Sequence, residues 1–243
     1  MYRSGHRITL AGFIIIYIFI SSLLKTYSQL LMARKILIPV LLFIFHVMCN
    51  GQDTEVELWL DAQIRKDFNK KFRAYYEQGY RRDEFLTNSK ALYFETGGYY
   101  KPAKFLWLGP NYRFATNLRD YRRNRLAGEV IFRGDIRRFN LKLRNKYMAE
   151  FGGGEETDHY FRERISADYN IRHLKIDPFI ASELIFHLQP DRTEYEQFRF
   201  DIGADWKLAK HHCLEFYYRY RIKRNVKNPL NSHIFGIEYV FEF

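Results

Sequence analysis

Apolar and polar residues alternate along most of this chain after residue 52. In the segment TEVELWLDAQI, the apolar side chains from Val56 to Ile64 share one face of an extended strand, because successive side chains of a strand point to opposite sides. The alternation returns in about eleven segments, each near the ~9–11 residues of a tilted membrane strand. Helical periodicity is not sustained anywhere in residues 53–243. The pattern therefore predicts an all-β domain.

The two faces of these segments differ in chemistry. In QFRFDIGADW, Phe198 and Phe200 lie on the face opposite Arg199 and Asp201. A soluble barrel turns its apolar face inward, whereas a membrane barrel turns it toward lipid and keeps the charges in its lumen. Aromatic residues make up 18% of the chain, and Tyr and Trp collect at bilayer interfaces. We therefore expect a membrane barrel, with a soluble periplasmic β-sandwich as an alternative.

The connectors between segments alternate in length. Short ones, such as KPAK and KLAKH, separate longer polar ones, such as ATNLRDYRRN and AEFGGGEETDH. Short turns at one end and long loops at the other are typical of a transmembrane β-barrel whose long loops lie outside the cell. The sequence thus predicts a single antiparallel transmembrane β-barrel of about 10–12 strands over residues 52–243.

The strand count raises a problem of parity. The first and last segments both run toward the short-turn end, which gives an odd count, whereas bacterial single-chain barrels have even counts. We expect either that the first segment is not a wall strand or that a further short strand lies near Gln52.

The amino-terminal region is typical of a targeting segment. A start at Met32 gives a short basic region, an apolar stretch and small residues before a cut between Gly51 and Gln52. We predict a signal peptide over residues 32–51, preceded by an upstream extension over residues 1–31. A signal peptide predicts export, and together with the predicted membrane barrel it predicts a location in the bacterial outer membrane. An anchor helix and lipidation at Cys49 are alternatives.

Charge and cysteine content exclude few classes of protein. The chain carries a net charge of +11, and residues 1–51 hold five basic and no acidic residues, which leaves +6 for the remainder. The basic stretches YRRNR and RYRIKRNVK, with interleaved aromatic residues, are compatible with nucleic-acid binding. An exported chain rarely meets nucleic acid, so we expect no such partner. Of two cysteines, Cys49 precedes the predicted cleavage site, so we expect no disulfide with Cys213.

The chain ends in GIEYVFEF, with apolar residues at alternate positions up to a terminal phenylalanine. This ending resembles the last strand of outer-membrane proteins of Gram-negative bacteria, which the barrel-assembly machinery reads. The resemblance implies that machinery as a partner during biogenesis. The residues that carry the resemblance are Phe235, Ile237, Tyr239, Phe241 and Phe243.

The whole region after the predicted signal peptide resembles a family of exported bacterial proteins known as domain of unknown function 2490, found chiefly in Bacteroidota. The matching stretches are ELWLDAQIRKDF, LGPNYRF, YFRERISADYNI, DPFIASELIF and FRFDIGADWKLAKHHCLEFYYRYR. These are barrel-strand motifs, so the resemblance implies a fold and a location. It implies no enzyme activity, cofactor or substrate.

The charged face supplies the candidate site. Opposite charges on neighbouring strands can pair across the lumen, which gives a structural network, since unpaired buried charges are costly. The other interpretation is a narrow polar passage or ligand site in which arginines favour anions. Glu183 stands out because it lies within the apolar stretch PFIASELIF. The candidate lumen residues are Arg113, Arg125, Glu129, Arg144, Arg164, Asp168, Glu183, Arg199, Asp201, Arg219 and Glu238.

An outer-membrane lipid hydrolase is the main alternative function. The histidines of the predicted barrel are scattered, and no GxSxG element or metal-spaced cluster accompanies them. We therefore predict no catalytic residues, no metal site and no cofactor. The expected partners are outer-membrane lipid and a small solute whose identity the sequence does not specify.

Overall fold

A computed structural model describes residues 54–83, 88–116, 122–152, 155–225 and 230–243. The predicted upstream extension, the signal peptide and the cleavage site at Gly51 and Gln52 lie outside these residues. Every regular element in the described part is a strand, and no helix there is long and apolar enough to cross a membrane. The eleven strands are β1 (Thr54–Asp67), β2 (Phe72–Asp83), β3 (Asn88–Ala103), β4 (Leu106–Thr116), β5 (Arg122–Ile136), β6 (Phe139–Gly152), β7 (Glu155–Tyr169), β8 (Ile176–Leu188), β9 (Thr193–Ala209), β10 (His212–Lys223) and β11 (Leu230–Glu242).

The eleven strands close into one barrel in which each strand pairs with its neighbours in sequence. All of these pairs are antiparallel except the closing pair, where β1 and β11 run parallel from Thr54 opposite Asn231 to Arg65 opposite Glu242. The predicted all-β barrel of 10–12 strands is therefore confirmed. The expectation of an even count is wrong, because both terminal segments are wall strands and a parallel pair closes an odd-numbered barrel.

The connector lengths also differ from the prediction. The polar stretches that we expected to be long loops mostly continue the strands, so that β6 ends at Gly152 and β7 begins at Glu155. At the opposite end, the connection between β7 and β8 spans six residues, 170–175. Connector length therefore distinguishes the two ends only weakly. We call the end that carries residues 68–71, 104–105 and 210–211 the short-turn end.

The barrel is apolar outside and polar inside. Along β9, Phe200 is 40% exposed on the outer surface while its neighbour Asp201 is 1% exposed. The same alternation places Ile165 outside and Arg164 toward the interior. This is the arrangement that a membrane barrel requires.

Glycines on the inner face make room for aromatic rings of the neighbouring strand. Gly79 lies opposite Tyr93, and Gly236 lies opposite Tyr217. A Cβ atom at Gly236 would lie 2.0 Å from Cζ of Tyr217, because the tyrosine ring lies directly over the glycine backbone. Such aromatic–glycine pairs fix strand register and fill space near the wall.

Candidate functional site

The barrel encloses a cavity of about 1430 Å³. Its wall contains sixteen basic and ten acidic side chains among the described residues, an excess of six positive charges. At the short-turn end the lining includes Lys210, His211 and Phe243. The cavity is thus charged, polar and reached by residues of the short turns.

The structure places the predicted lumen residues on the inner side of the wall. Glu183 and Asp201 are only 1% exposed and do not line the cavity, because arginines lie between them and the open space. The predicted residues that line the cavity are Arg113, Arg125, Glu129, Arg144, Arg164, Asp168, Arg199, Arg219 and Glu238.

Glu183 on β8 is the centre of the densest group of ion pairs. Its carboxylate accepts from Nε of Arg162 at 2.5 Å and from an Nη of Arg199 at 2.9 Å. Two further guanidinium groups, of Arg144 and Arg164, each lie 3.9 Å away. Strand register explains the convergence, because Arg164 and Arg199 stand directly opposite Glu183 on the two neighbouring strands.

Asp201 on β9 anchors a second group beside the first. Arg219 donates to it through Nε at 2.6 Å and through an Nη at 2.9 Å, and Arg164 donates at 2.5 Å. Arg164 therefore connects the two carboxylates. We call Arg144, Arg162, Arg164, Arg199 and Arg219 the arginine cluster; all five line the cavity.

On the wall formed by β3 to β6, charges pair more evenly. Arg113 donates to Glu95 at 2.6 Å, and the same carboxylate accepts from the Tyr75 hydroxyl at 2.8 Å. Arg125 donates to Glu150 through Nε at 2.7 Å. The two arginine contacts join opposite charges at hydrogen-bond distance, which offsets part of the cost of burying them.

Glu129 is held mainly by neutral donors. It accepts from the Tyr99 hydroxyl at 2.7 Å and from the Asn111 amide at 3.1 Å. The closest guanidinium atom, Nε of Arg144, is 3.9 Å from Oε2 of Glu129. The ion pair predicted for this carboxylate is therefore loose.

Asp168 and Glu238, nearer the short-turn end, each pair with one cationic side chain of the described residues. Lys142 lies 2.9 Å from Asp168, and Arg65 lies 3.5 Å from Glu238. Glu238 also stands opposite Glu215 on β10 and Asp61 on β1. The interior thus has an acid-rich sector beside the parallel closing pair, away from the arginine cluster.

Several interior residues were missing from the predicted set. Arg162 belongs there because the alternation that includes Arg164 continues two residues earlier. Glu57 and Arg221 form a buried pair, and Arg221 donates to the Ser232 hydroxyl at 2.8 Å. Glu57 lies two residues from Glu55 on β1, and Arg221 lies two residues from Arg219 on β10. Extending the period-two alternation along both strands would therefore have placed both residues on the inner face.

Three arginines surround the ring of Trp59. Its ring centroid lies 4.3 Å from the guanidinium of Arg81, 4.9 Å from that of Arg219 and 5.8 Å from that of Arg199. Trp59 lines the cavity and donates through its indole N–H to Glu57 at 2.7 Å. Cation–π contacts thus add an aromatic surface beside the arginine cluster.

The histidines do not converge on one centre. The Tyr147 hydroxyl lies 2.8 Å from Nδ1 of His159, and Nε2 of His187 lies 3.3 Å from Asp158. Among the described residues, no group of three or more His, Cys, Asp or Glu side chains is arranged to hold a metal ion.

The predicted assembly-signal residues lie along the outer face of β11 and at its end. Phe235, Ile237 and Tyr239 are 42%, 36% and 37% exposed. Phe243 is 48% exposed, and its backbone N–H donates to the carbonyl of Arg65 at 3.0 Å. The last residue is therefore tied to β1, and the recognition role of these side chains stays a prediction.

Comparison of the structure with solved structures returns barrels of low sequence identity. The β domain of the Bordetella autotransporter BrkA is 12% identical with a TM-score of 0.45, covering 68% of this chain and 81% of that one. LpxR from Salmonella typhimurium is 7% identical with a TM-score of 0.46, covering 70% and 83%. A KdgM porin is 13% identical with a TM-score of 0.43, covering 70% and 91%.

Sequence comparison gives a family assignment. No curated protein matches the chain. A family model described as protein of unknown function (DUF2490) matches residues 56–231, which run from β1 into β11. The match covers more than half of the chain and includes all five stretches that suggested the resemblance. The chain therefore belongs to the DUF2490 family.

Proposed function

We propose that this protein resides in the outer membrane as a barrel with a narrow polar passage, and that most of its interior ion pairs maintain the barrel's shape. The observation that carries the proposal is the inverted distribution of side chains. Charged residues surround a cavity of about 1430 Å³, and the opposite face of the same strands is apolar.

The outer surface fits lipid better than water. Twenty-nine large apolar or aromatic side chains are exposed among the described residues, from Leu60 on β1 to Phe243 at the end of the chain. Soluble monomers rarely expose contiguous apolar patches beyond a few hundred Å². Outer-membrane lipid is accordingly the first partner that we propose, and the barrel-assembly machinery is the second. This favours the membrane barrel over a soluble β-sandwich.

The dimensions favour a narrow passage. Eleven strands lie between the small barrels of about eight strands, which side chains fill, and those of about sixteen, which hold a channel. The cavity reaches the short-turn end, whereas Glu57, Arg221 and Ser232 near the other end of their strands are buried and do not line it.

Two measurements test this proposal. Membrane fractionation should recover the tagged protein in the outer membrane, and protease added to whole cells should cleave it at residues 152–154. Recovery in the soluble periplasmic fraction would overturn the location. Refolded protein in planar bilayers should give small, discrete conductance steps. A folded barrel that gives no steps above the lipid background would overturn the passage and leave only the structural role.

We propose no catalytic step. Lipid hydrolysis needs a nucleophile with an adjacent base, and the polar contacts of His159 and His187 are with Tyr147 and Asp158, not with a serine or cysteine. Incubation of refolded protein with outer-membrane lipid should leave the lipid intact. Turnover above that of unfolded protein would favour the hydrolase alternative.

A further inference from the structure

We propose that the arginine cluster is a binding site for oxyanions, meaning solutes that carry carboxylate or phosphate groups. The inference deepens the proposed passage by naming a ligand class, and it rests on the folded barrel of that proposal, not on its conduction. The cluster is defined by Arg144, Arg162, Arg164, Arg199 and Arg219.

The first argument is charge. Each of the five guanidinium groups lies within 4 Å of the carboxylate of Glu183 or Asp201. The carboxylate of Glu129 lies 3.9 Å from the guanidinium of Arg144. Counting all three carboxylates, the cluster keeps an excess of two positive charges. The arginines line the cavity, whereas Glu183 and Asp201 lie behind them. The open space therefore faces net positive charge.

The second argument is unused hydrogen-bonding capacity. A guanidinium has five N–H donors in a planar fork that matches carboxylate and phosphate geometry. The Arg144 atoms nearest to Glu129 and Glu183 are 3.9 Å away, beyond hydrogen-bond distance. The Arg144 side chain as a whole keeps 31% of its surface exposed, although its Nε is buried and has no hydrogen-bond partner among the described residues. Arg144 thus has donors available on the cavity wall.

The third argument is like-charge crowding. Arg144 stands directly opposite Arg164 on the neighbouring strand, a pairing that is destabilising without a counter-charge. Elsewhere in the same interior, Arg113 also stands opposite Arg125, but each of them donates to its own carboxylate, Glu95 at 2.6 Å and Glu150 at 2.7 Å. Arg144 departs from this pairing, because its nearest carboxylates, Glu129 and Glu183, are 3.9 Å away, and a bound oxyanion would supply a counter-charge at hydrogen-bond distance.

Trp59 gives a direct readout of binding. It lies on the cavity wall within cation–π distance of Arg199 and Arg219. The other two tryptophans, Trp107 and Trp206, can be changed to phenylalanine so that fluorescence reports Trp59 alone. The refolded barrel is then titrated with citrate, with pyrophosphate and with raffinose as a neutral control, at constant ionic strength.

Citrate or pyrophosphate should give a saturable change in Trp59 fluorescence, and raffinose should give none. Saturation by citrate alone assigns carboxylates, saturation by pyrophosphate alone assigns phosphates, and saturation by both assigns the shared oxyanion chemistry. The same binding should appear by calorimetry with the unmodified chain. A folded barrel that shows no saturable response to either anion overturns the inference.

A matched pair of variants separates a site from general attraction. Arg144→Gln should weaken anion binding by at least about tenfold, the effect of losing a charge-assisted contact. Lys210→Gln also removes one positive charge from the cavity wall, but Lys210 lies in the turn between β9 and β10, about nine residues along the chain from Arg219 and outside the cluster. It should change affinity less than about twofold, as expected for a distant screened charge.

Equal weakening by both variants would show only a diffuse positive field and would overturn the site. If Arg144→Gln fails to fold by gel mobility, Arg144→Lys keeps the charge and removes the planar fork. That variant should bind several-fold more weakly than the parent, and unchanged affinity would contradict the proposal. A non-conducting barrel that binds citrate would overturn the passage while supporting this inference.

Discussion

Nε of Arg162 donates a hydrogen bond of 2.5 Å to Oε1 of Glu183, whose side chain has no exposed surface. Glu183→Leu would leave Arg162 and Arg199 without their shared acceptor. Loss of one partner from a buried ion pair costs about 3–5 kcal/mol, because the remaining charge is uncompensated. We therefore expect a lower melting temperature in detergent and a lower temperature for the heat-induced shift in gel mobility.

Glu194 gives the control for this change. It pairs with Arg192, whose side chain is 65% exposed, at 3.2 Å near the connection between β8 and β9. Exposed pairs contribute at most about 1 kcal/mol, so Glu194→Leu should leave melting nearly unchanged. Unchanged melting of Glu183→Leu would show that the buried pairs do not stabilise the barrel.

The aromatic–glycine pairs give a second prediction. In Gly236→Ala, the new Cβ would meet the ring of Tyr217, so the buried ring must move. Overpacking of this kind costs about 1–3 kcal/mol. Gly128→Ala is the matched change, because nothing lies within 4 Å of a Cβ there. Urea unfolding should separate the two variants; indistinguishable midpoints would mean that the Tyr217 ring adapts freely.

The carboxyl-terminal phenylalanine gives a third prediction. Phe243→Ser should reduce the amount of folded protein in the outer membrane several-fold, because the assembly machinery would read a defective last strand. Refolding of the purified variant in detergent should still give the compact gel band. Phe105→Ser removes another exposed aromatic side chain at the short-turn end, 59% exposed, and should assemble normally. Normal assembly of Phe243→Ser would exclude the signal role.

The parallel closure gives a fourth prediction. Leu60 on β1 stands opposite Ile237 on β11, so cysteines at these two positions should form a disulfide on mild oxidation. The background carries Cys213→Ser to remove the native thiol. In the control, cysteines replace Leu60 and Phe241. Phe241 lies four residues beyond Ile237, the partner of Leu60 on β11, so this pair should be too far apart to form a disulfide. Cross-linking of the second pair in place of the first would contradict the eleven-stranded register.

The period-two alternation predicted the strands and their inner faces well. Glu183 and Asp201 could be placed inside from sequence because each interrupts the apolar pattern with fixed parity. Their partners could not be identified, because cross-strand contacts depend on register. Register is set by turns and by irregularities such as the one between Ile185 and Phe186.

The closure of the barrel was also beyond the reach of the sequence pattern. Alternation by itself fixes only which side of β1 faces inward. The segment count did place β1 and β11 in the same direction, but the rule of even strand counts favoured a missing or misassigned strand over a parallel closure. The prediction of long loops between the strands failed for a different reason. Polar residues such as Arg123 and Glu150 lie inside strands, because charged side chains there face the interior and bind one another at 3.4 Å.

The sidedness of the wall is the central claim, and adjacent residues on β6 test it most directly. Lys142 lines the cavity, and Leu141 is 37% exposed on the outer face. In proteoliposomes of the Cys213→Ser background, a water-soluble maleimide should label Lys142→Cys and leave Leu141→Cys unlabelled, because lipid covers position 141. Rapid labelling of Leu141→Cys with protection of Lys142→Cys would contradict a membrane barrel with a charged interior.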